Sequence, residues 1–209
     1  MTTPLRALAL VCTLKPGPAE SSSDLIARQV LEQLATHDVT GEAIRLVDHD
    51  VKPGVEKDMG PGDAWPAIRE KVLAADILLI ATPTWMGQAS SVCMRALERL
   101  DAELSEKDDQ GRPSVFGKVA VVAVVGNEDG AHHITSQVFQ ALNDVGYSIP
   151  AQGATYWNGE AMHGTDYKDL DETPEVTAGT NATVAANAAH LARLLQGANY
   201  PGEASGERS

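Results

Sequence analysis

Cysteine is scarce in this chain: Cys12 and Cys93 are the only two in 209 residues. Two thiols cannot supply a four-thiolate iron–sulfur cluster within one chain. Neither has the close second cysteine that metal or redox motifs require. Each lies in apolar sequence, so both read as buried free thiols rather than as a disulfide. Basic residues are also few, with 16 Lys and Arg against 29 Asp and Glu and a net charge of -13. That balance opposes attachment to nucleic acid, which needs cations against phosphates. At most it favours basic protein partners. No run approaches the roughly 18 apolar residues of a membrane span. Residues 1–6 lack the charged and apolar regions of a secretion signal and lead straight into a strand-like segment. A cytoplasmic location is therefore expected, with neither nucleic-acid nor membrane partners. Also missing are the G-x-G-x-x-G fingerprint and the Walker loop, so a dinucleotide Rossmann or NTPase reading has little support.

What is present is an ordinary globular composition, 43% hydrophobic and 22% charged. One domain over residues 1–198 is expected, with 199–209 as a disordered tail. Five apolar segments read as strands: 5–11, 43–47, 76–81, 119–125 and 149–156. The third and fourth are almost continuously apolar, as strands buried on both faces of a parallel sheet are. Between them run helical stripes, among them Ile26, Val30 and Leu34; Ile68, Val72 and Ala75; and Val92, Ala96, Leu100 and Leu104. A further stripe, Ile134 to Val145, ends at Gly146 as a C-cap. The alternation predicts an α/β fold: a doubly wound five-stranded parallel sheet with helices on both faces. Residues 158–180 form a long excursion before the last helix, suggestive of a flap or interface.

Three loops follow strands one, three and four. The first carries Thr13, Lys15, Ser21, Ser22 and Ser23 before a helix, whose N-terminal N–H groups and dipole favour a phosphate. The same hydroxyls also serve as plain helix caps, with Ser22 or Ser23 as the N-cap. In the second, Thr82-Pro83-Thr84-Trp85-Met86-Gly87 stops an apolar strand abruptly. Pro83 and Gly87 shape it, and Thr84, Trp85 and the backbone amides from Met86 to Gln88 can face a planar heterocycle; alternatively, Trp85 and Met86 cap the core. The third is Gly126-Asn127-Glu128-Asp129-Gly130, where glycine permits close backbone approach. His132 and His133 follow it about 100° apart on a helix, poor geometry for joint metal binding, and read as a solvated helix start. No metal site is expected. In a 2-1-3-4-5 sheet the three loops gather at the switch point. A phosphate pocket on one and a ring cradle on the other two describe an FMN site.

On Thr13-Leu14-Lys15 with Ser21-Ser22-Ser23, Ala81 to Gly87, and Gly126 to Ala131, the chain resembles the flavodoxin-like NAD(P)H-dependent FMN reductases. The resemblance spans roughly residues 5–196. It implies that Thr13, Lys15, Ser21 and Ser23 hold the phosphate. Pro83 through Gly87, with Gly126, Asn127 and Gly130, would line the isoalloxazine. Hydride would pass from NAD(P)H through the flavin to a quinone, free flavin or similar acceptor. No side chain is singled out as catalytic. A homodimer or homotetramer is implied, and Tyr156-Trp157 could wall the substrate side. The alternatives are a flavodoxin-type electron carrier and a flavodoxin-fold binding or regulatory module without turnover.

Overall fold

Along the first strand, β1 (Leu5–Val11), Leu8 and Leu10 pack to one side of the sheet while Leu5, Ala7, Ala9 and Val11 pack to the other. That is the two-residue alternation of a strand with helices on both faces. This computed structural model describes residues 4–161 and 163–202. After β1 come α1 (Ser22–Ala35), β2 (Val39–Arg45), α2 (Trp65–Ala74), β3 (Ile77–Trp85) and the short β4 (Gln88–Ala89). Then follow α3 (Ser91–Leu100), β5 (Val119–Gly126), α4 (Ala131–Val145), β6 (Ala154–Asn158) and α5 (Glu175–Gly197).

The sheet order is β2-β1-β3-β5-β6, all pairs parallel, with β4 off this path and antiparallel to β3. Setting β4 aside, this is the expected 2-1-3-4-5 arrangement. Helices α1 and α5 cover one face; α2, α3 and α4 cover the other. The chain turns outward from β1 to β2, then reverses to β3, and right-handed crossovers put the two sets of helices on opposite faces. The crevice of an open sheet falls where that reversal occurs, between the carboxyl ends of β1 and β3. Gly146, at φ 117°, closes α4 as expected, its N–H reaching the Asn143 carbonyl.

Several boundaries differ from the sequence reading. Strand β2 begins at Val39 rather than Ala43, because Thr40 to Glu42 lie exposed on an edge strand and carry no apolar pattern. The stripe through Leu104 breaks at Leu100, where residues 101–105 tighten into a 3-10 turn that leaves Leu104 in solvent. The same turn buries Glu103 against Arg69 (Nε–Oε1 2.5 Å), with Ser114 Oγ donating to it at 2.6 Å. The last strand sits at Ala154–Asn158, and α5 starts at Glu175, which shortens the excursion. The predicted tail is partly packed: Tyr200 lies 5.2 Å from the Phe116 ring and shares a 2.9 Å hydrogen bond with Ser148. Residues 203–209 of that tail lie outside the described residues.

The irregular 51–63 segment is anchored by a fully buried ion pair, Arg99 Nη1 to Asp63 Oδ2 at 2.8 Å. Arg99 also donates to the carbonyls of Lys52 and Glu56 and lies over the Trp65 ring. Burial opposes ionisation of Asp63. The N–H of Met59, the Arg99 guanidinium and the N–H groups of Trp65 and Lys52 outweigh it and hold the carboxyl down to about 2. Among the described residues no helix is long and apolar enough to cross a membrane.

Candidate functional site

The carboxyl ends of β1, β3 and β5 open into one cleft, and the three loops supply its walls. The first loop is braced from behind. Arg45 Nη1 donates to the Ala19 carbonyl at 2.7 Å and to that of Lys15 at 3.4 Å, and the Gly17 N–H reaches Asp48 Oδ1 at 2.8 Å. Inside the loop, Thr13 Oγ1 accepts from the Lys15 N–H at 3.2 Å. The cap of α1 is Ser21, not Ser22 or Ser23: its hydroxyl accepts from the Asp24 N–H. That choice leaves the Ser23 side chain for the cleft, while Ser22 Oγ accepts the Lys168 backbone N–H at 3.3 Å. A helix start also leaves its first backbone N–H groups without intrahelical partners. Thr13, Lys15, Ser21, Ser22 and Ser23 all line the cleft.

The second loop is a hairpin rather than an irregular stop. Strand β3 runs on through Pro83 and Thr84 to Trp85, then folds back as β4 with Trp85 opposite Gln88. The two turn residues, Met86 and Gly87, have φ of 52° and 72°. Positive φ at both central positions marks the tight turn whose twist matches antiparallel strands. Behind the hairpin, Ser90 caps α3 through Cys93 N–H and donates to the Cys12 carbonyl at 2.6 Å. Its own N–H reaches Thr82 Oγ1 at 3.2 Å. One serine thus ties α3 to the ends of β1 and β3. The nearby Cys12 thiol is pushed up by a side-chain hydrogen bond with Cys93 and by burial, which suits an inert core thiol.

Pro83, Thr84 and Trp85 line the cleft, as do Gly126 and Asn127 from the third loop. Thr84 Oγ1 is buried and has no hydrogen-bond partner, an arrangement that costs roughly 1–3 kcal/mol unless a ligand meets it. Gly126 is required there, since a Cβ would stand 2.6 Å from that of Thr84. The other five predicted residues do not line the cleft; they lie where its two ring-side loops meet. Glu128 Oε1 accepts the Met86 N–H at 2.7 Å, and Asp129 Oδ1 accepts that of Gly130. A Cβ on Gly130 would lie 2.9 Å from the Gly87 Cα, so the loops meet backbone to backbone. Met86, Gly87, Glu128, Asp129 and Gly130 therefore act one step behind the wall. The Met86 N–H, expected to face a ring, is already taken.

Leu14, Val125, Trp157, Asp166 and Tyr167 complete the lining. Trp157 packs against Tyr167 with ring centroids 5.5 Å apart, while Tyr156 turns away to meet His132 edge-on. No local motif marks Asp166 or Tyr167; the unusual length of the excursion that carries them is their signal in the sequence. Burial raises the Tyr167 phenol, partly offset by hydrogen bonds with Thr173 and Gln29. His133 bonds to Gln88, and among the described residues no three His, Cys, Asp or Glu converge as metal ligands would.

A family model described as NADPH-dependent FMN reductase matches residues 5–161. The chain is 32% identical over 208 residues to the 8-demethyl-8-aminoriboflavin-5'-phosphate synthase of Streptomyces davaonensis, covering 94% of this chain and 80% of the relative. It is 35% identical over 199 residues to the divalent metal cation transporter MntH of Mycobacterium bovis, covering 92% of this chain. It spans only 29% of that transporter's length. A crystal structure of RosB with the bound intermediate 8-demethyl-8-formylriboflavin-5'-phosphate superposes with a TM-score of 0.85 at 32% identity, over 94% of this chain and 82% of that one.

Proposed function

The chain belongs to the NADPH-dependent FMN reductase family, and from that membership we propose that its cleft seats FMN and serves electron transfer from NAD(P)H to a quinone, a free flavin or a similar small acceptor. It is an FMN-dependent oxidoreductase, with NAD(P)H as co-substrate.

The observation that carries the seating is the unpartnered Thr84 hydroxyl, buried in a cleft that three loops build together. A planar ligand with polar edges between Thr84, Trp85 and Asn127 would satisfy it. At the other end, the start of α1, the hydroxyls of Thr13 and Ser23, and the Lys15 ammonium suit a phosphate. The residues fit the group. Bound FMN supplies the hydride chemistry, and the protein supplies placement. Pro83, Trp85 and Trp157 give the walls apolar surface. The Glu128–Met86 bond holds the hairpin tip, and Ser90 holds the hairpin base. No side chain is assigned proton transfer.

Flavin uptake tests this reading: apo-protein should quench FMN fluorescence with 1:1 stoichiometry and bind riboflavin far more weakly. Equal affinity for both would remove the phosphate pocket from the reading.

A second reading is favoured by the Streptomyces davaonensis relative, which is named for making a modified flavin phosphate. Here the flavin phosphate would be consumed as substrate in the same cleft. The mass of flavin extracted after turnover separates the two: unchanged for a cofactor, altered for a substrate. A homodimer or homotetramer is part of the proposal, since Trp85 and Met86 stand 51% and 87% exposed at the hairpin. Light scattering on the purified protein checks it.

A further inference from the structure

Arg45, the last residue of β2, reaches the loop between β1 and α1 and meets it at three points. Its Nη1 donates to the Ala19 carbonyl at 2.7 Å and to the Lys15 carbonyl at 3.4 Å. One nitrogen thus ties both ends of a turn that the Ala19 N–H closes on the Pro16 carbonyl at 3.2 Å. The other nitrogen, Nη2, stands 3.5 Å from Asp24 Oδ2 in the first turn of α1. Arg45 itself does not line the cleft.

The outer side of this loop faces a groove of about 600 Å³ whose lining includes Gly17, Pro18, Arg45 and Asp48. Polar ties hold it there: the Arg45 bonds, and the Gly17 N–H on Asp48 Oδ1 at 2.8 Å. Two effects follow on the cleft side. In a trans peptide the C=O and N–H point in opposite directions. With the Ala19 carbonyl drawn to Arg45, the Glu20 N–H points away from it, off the groove side of the loop. Holding the Lys15 carbonyl likewise fixes the backbone from which the Lys15 side chain enters the cleft lining.

The second effect is on charge. The Asp24 carboxylate sits at the helix start, where it repels any anion brought there. Two guanidinium groups flank it, Arg28 at 2.8 Å and Arg45 at 3.5 Å. The Arg28 side chain is 60% exposed and that of Arg45 only 14%, so Arg45 is the counter-charge less screened by water.

Resting on the FMN reading above, we propose that Arg45 is a positioning residue for the flavin phosphate. It holds the loop from behind and offsets Asp24, so it governs affinity for the phosphate end of the ligand and not for the ring. Its planar fork meets two carbonyls with one nitrogen and a carboxylate with another, which a lysine ammonium cannot match.

The test titrates apo-protein with FMN and with riboflavin, reading flavin fluorescence, for the wild type, Arg45→Ala, Arg45→Lys and Arg45→Ala/Asp24→Asn. Arg45→Ala should weaken FMN binding about tenfold, the scale of lost bonds to a charged donor, and leave riboflavin binding unchanged. Arg45→Lys should recover part of that loss. Removing the bared carboxylate in the double variant should recover about threefold over Arg45→Ala. No recovery there would overturn the charge half of the proposal. FMN binding unchanged in Arg45→Ala, or FMN and riboflavin weakened alike, would overturn the role of Arg45 and leave the FMN site standing. Equal wild-type affinities for FMN and riboflavin would overturn the phosphate seat and the role of Arg45 together. Far-ultraviolet circular dichroism reports whether Arg45→Ala folds. If it does not, Arg45→Lys decides: weaker FMN with unchanged riboflavin supports the proposal, and wild-type affinity for both overturns it.

Discussion

The Glu128 carboxylate accepts the backbone N–H of Met86 at 2.7 Å, joining the tip of the β3–β4 hairpin to the loop after β5. Met86 holds φ at 52°, a conformation that few non-glycine residues adopt unaided. The carboxylate and the neighbouring Gly87–Gly130 contact together keep the tip in place.

Glu128→Ala should therefore lower stability by about 1 kcal/mol, the scale of a partly exposed hydrogen bond to a charged group. Flavin affinity should fall five- to tenfold through the displaced tip, while Glu128→Gln, which keeps an acceptor, recovers most of it. Urea unfolding and fluorescence titration of the three proteins check both numbers.

Thr84→Val predicts effects of opposite sign on stability and binding. Removing a buried hydroxyl with no partner should stabilise the apo-protein by about 1 kcal/mol. The same change should weaken FMN binding about tenfold, because the ligand loses its partner. Thermal unfolding without flavin, set beside the dissociation constant, reads the two effects separately.

Gly126→Ala should spare the sheet and damage the cleft. A Cβ there stands 2.6 Å from that of Thr84, so either Thr84 or the loop must move into the ring space. Flavin affinity should drop at least tenfold with the far-ultraviolet circular dichroism unchanged. An affinity equal to wild type would place the ring elsewhere.

Much of this architecture is legible in the residues themselves. Continuous apolar runs such as Val119 to Val125 mark strands covered on both faces, and the order of strands and stripes leaves one topology. The phosphate loop is legible because hydroxyls precede a helix. The hairpin is hidden in the sequence because Pro83 and Gly87 signal a stop, whereas Pro83 takes the last ladder position with β5, opposite Val125, and the strand continues to Trp85. Five predicted lining residues stand behind the wall because loop-to-loop contacts are tertiary, and neither Glu128 nor Gly130 carries a local mark of its partner. The same holds for Asp166 and Tyr167, which bond to Asn127 and Gln29. Asp166 and Tyr167 gain meaning only from Asn127 and Gln29, which are remote in sequence.

The buried Asp63–Arg99 pair predicts an acid-sensitive segment far from the cleft. Asp63 titrates at about 2 in the fold against an ordinary 3.8. A depressed carboxyl stabilises the fold above its unfolded value, and that contribution disappears as the pH falls from about 4 through about 2. The contribution is about 2 kcal/mol. Asp63→Asn should flatten the stability profile across that window and cost roughly 3–5 kcal/mol at neutral pH, since Arg99 is left buried and unpaired. Urea unfolding at pH 7, 4 and 2.5 for both proteins measures this difference.

A visible spectrum before and after anaerobic addition of NADPH and of NADH tests whether the cleft is a working flavin site. The protein reconstituted with FMN should show the absorption bands of oxidised flavin, bleach with one equivalent of reduced nicotinamide, and recover when a quinone is added. A protein that stays colourless after reconstitution, or whose bound flavin bleaches only through a separate reductase, would contradict it.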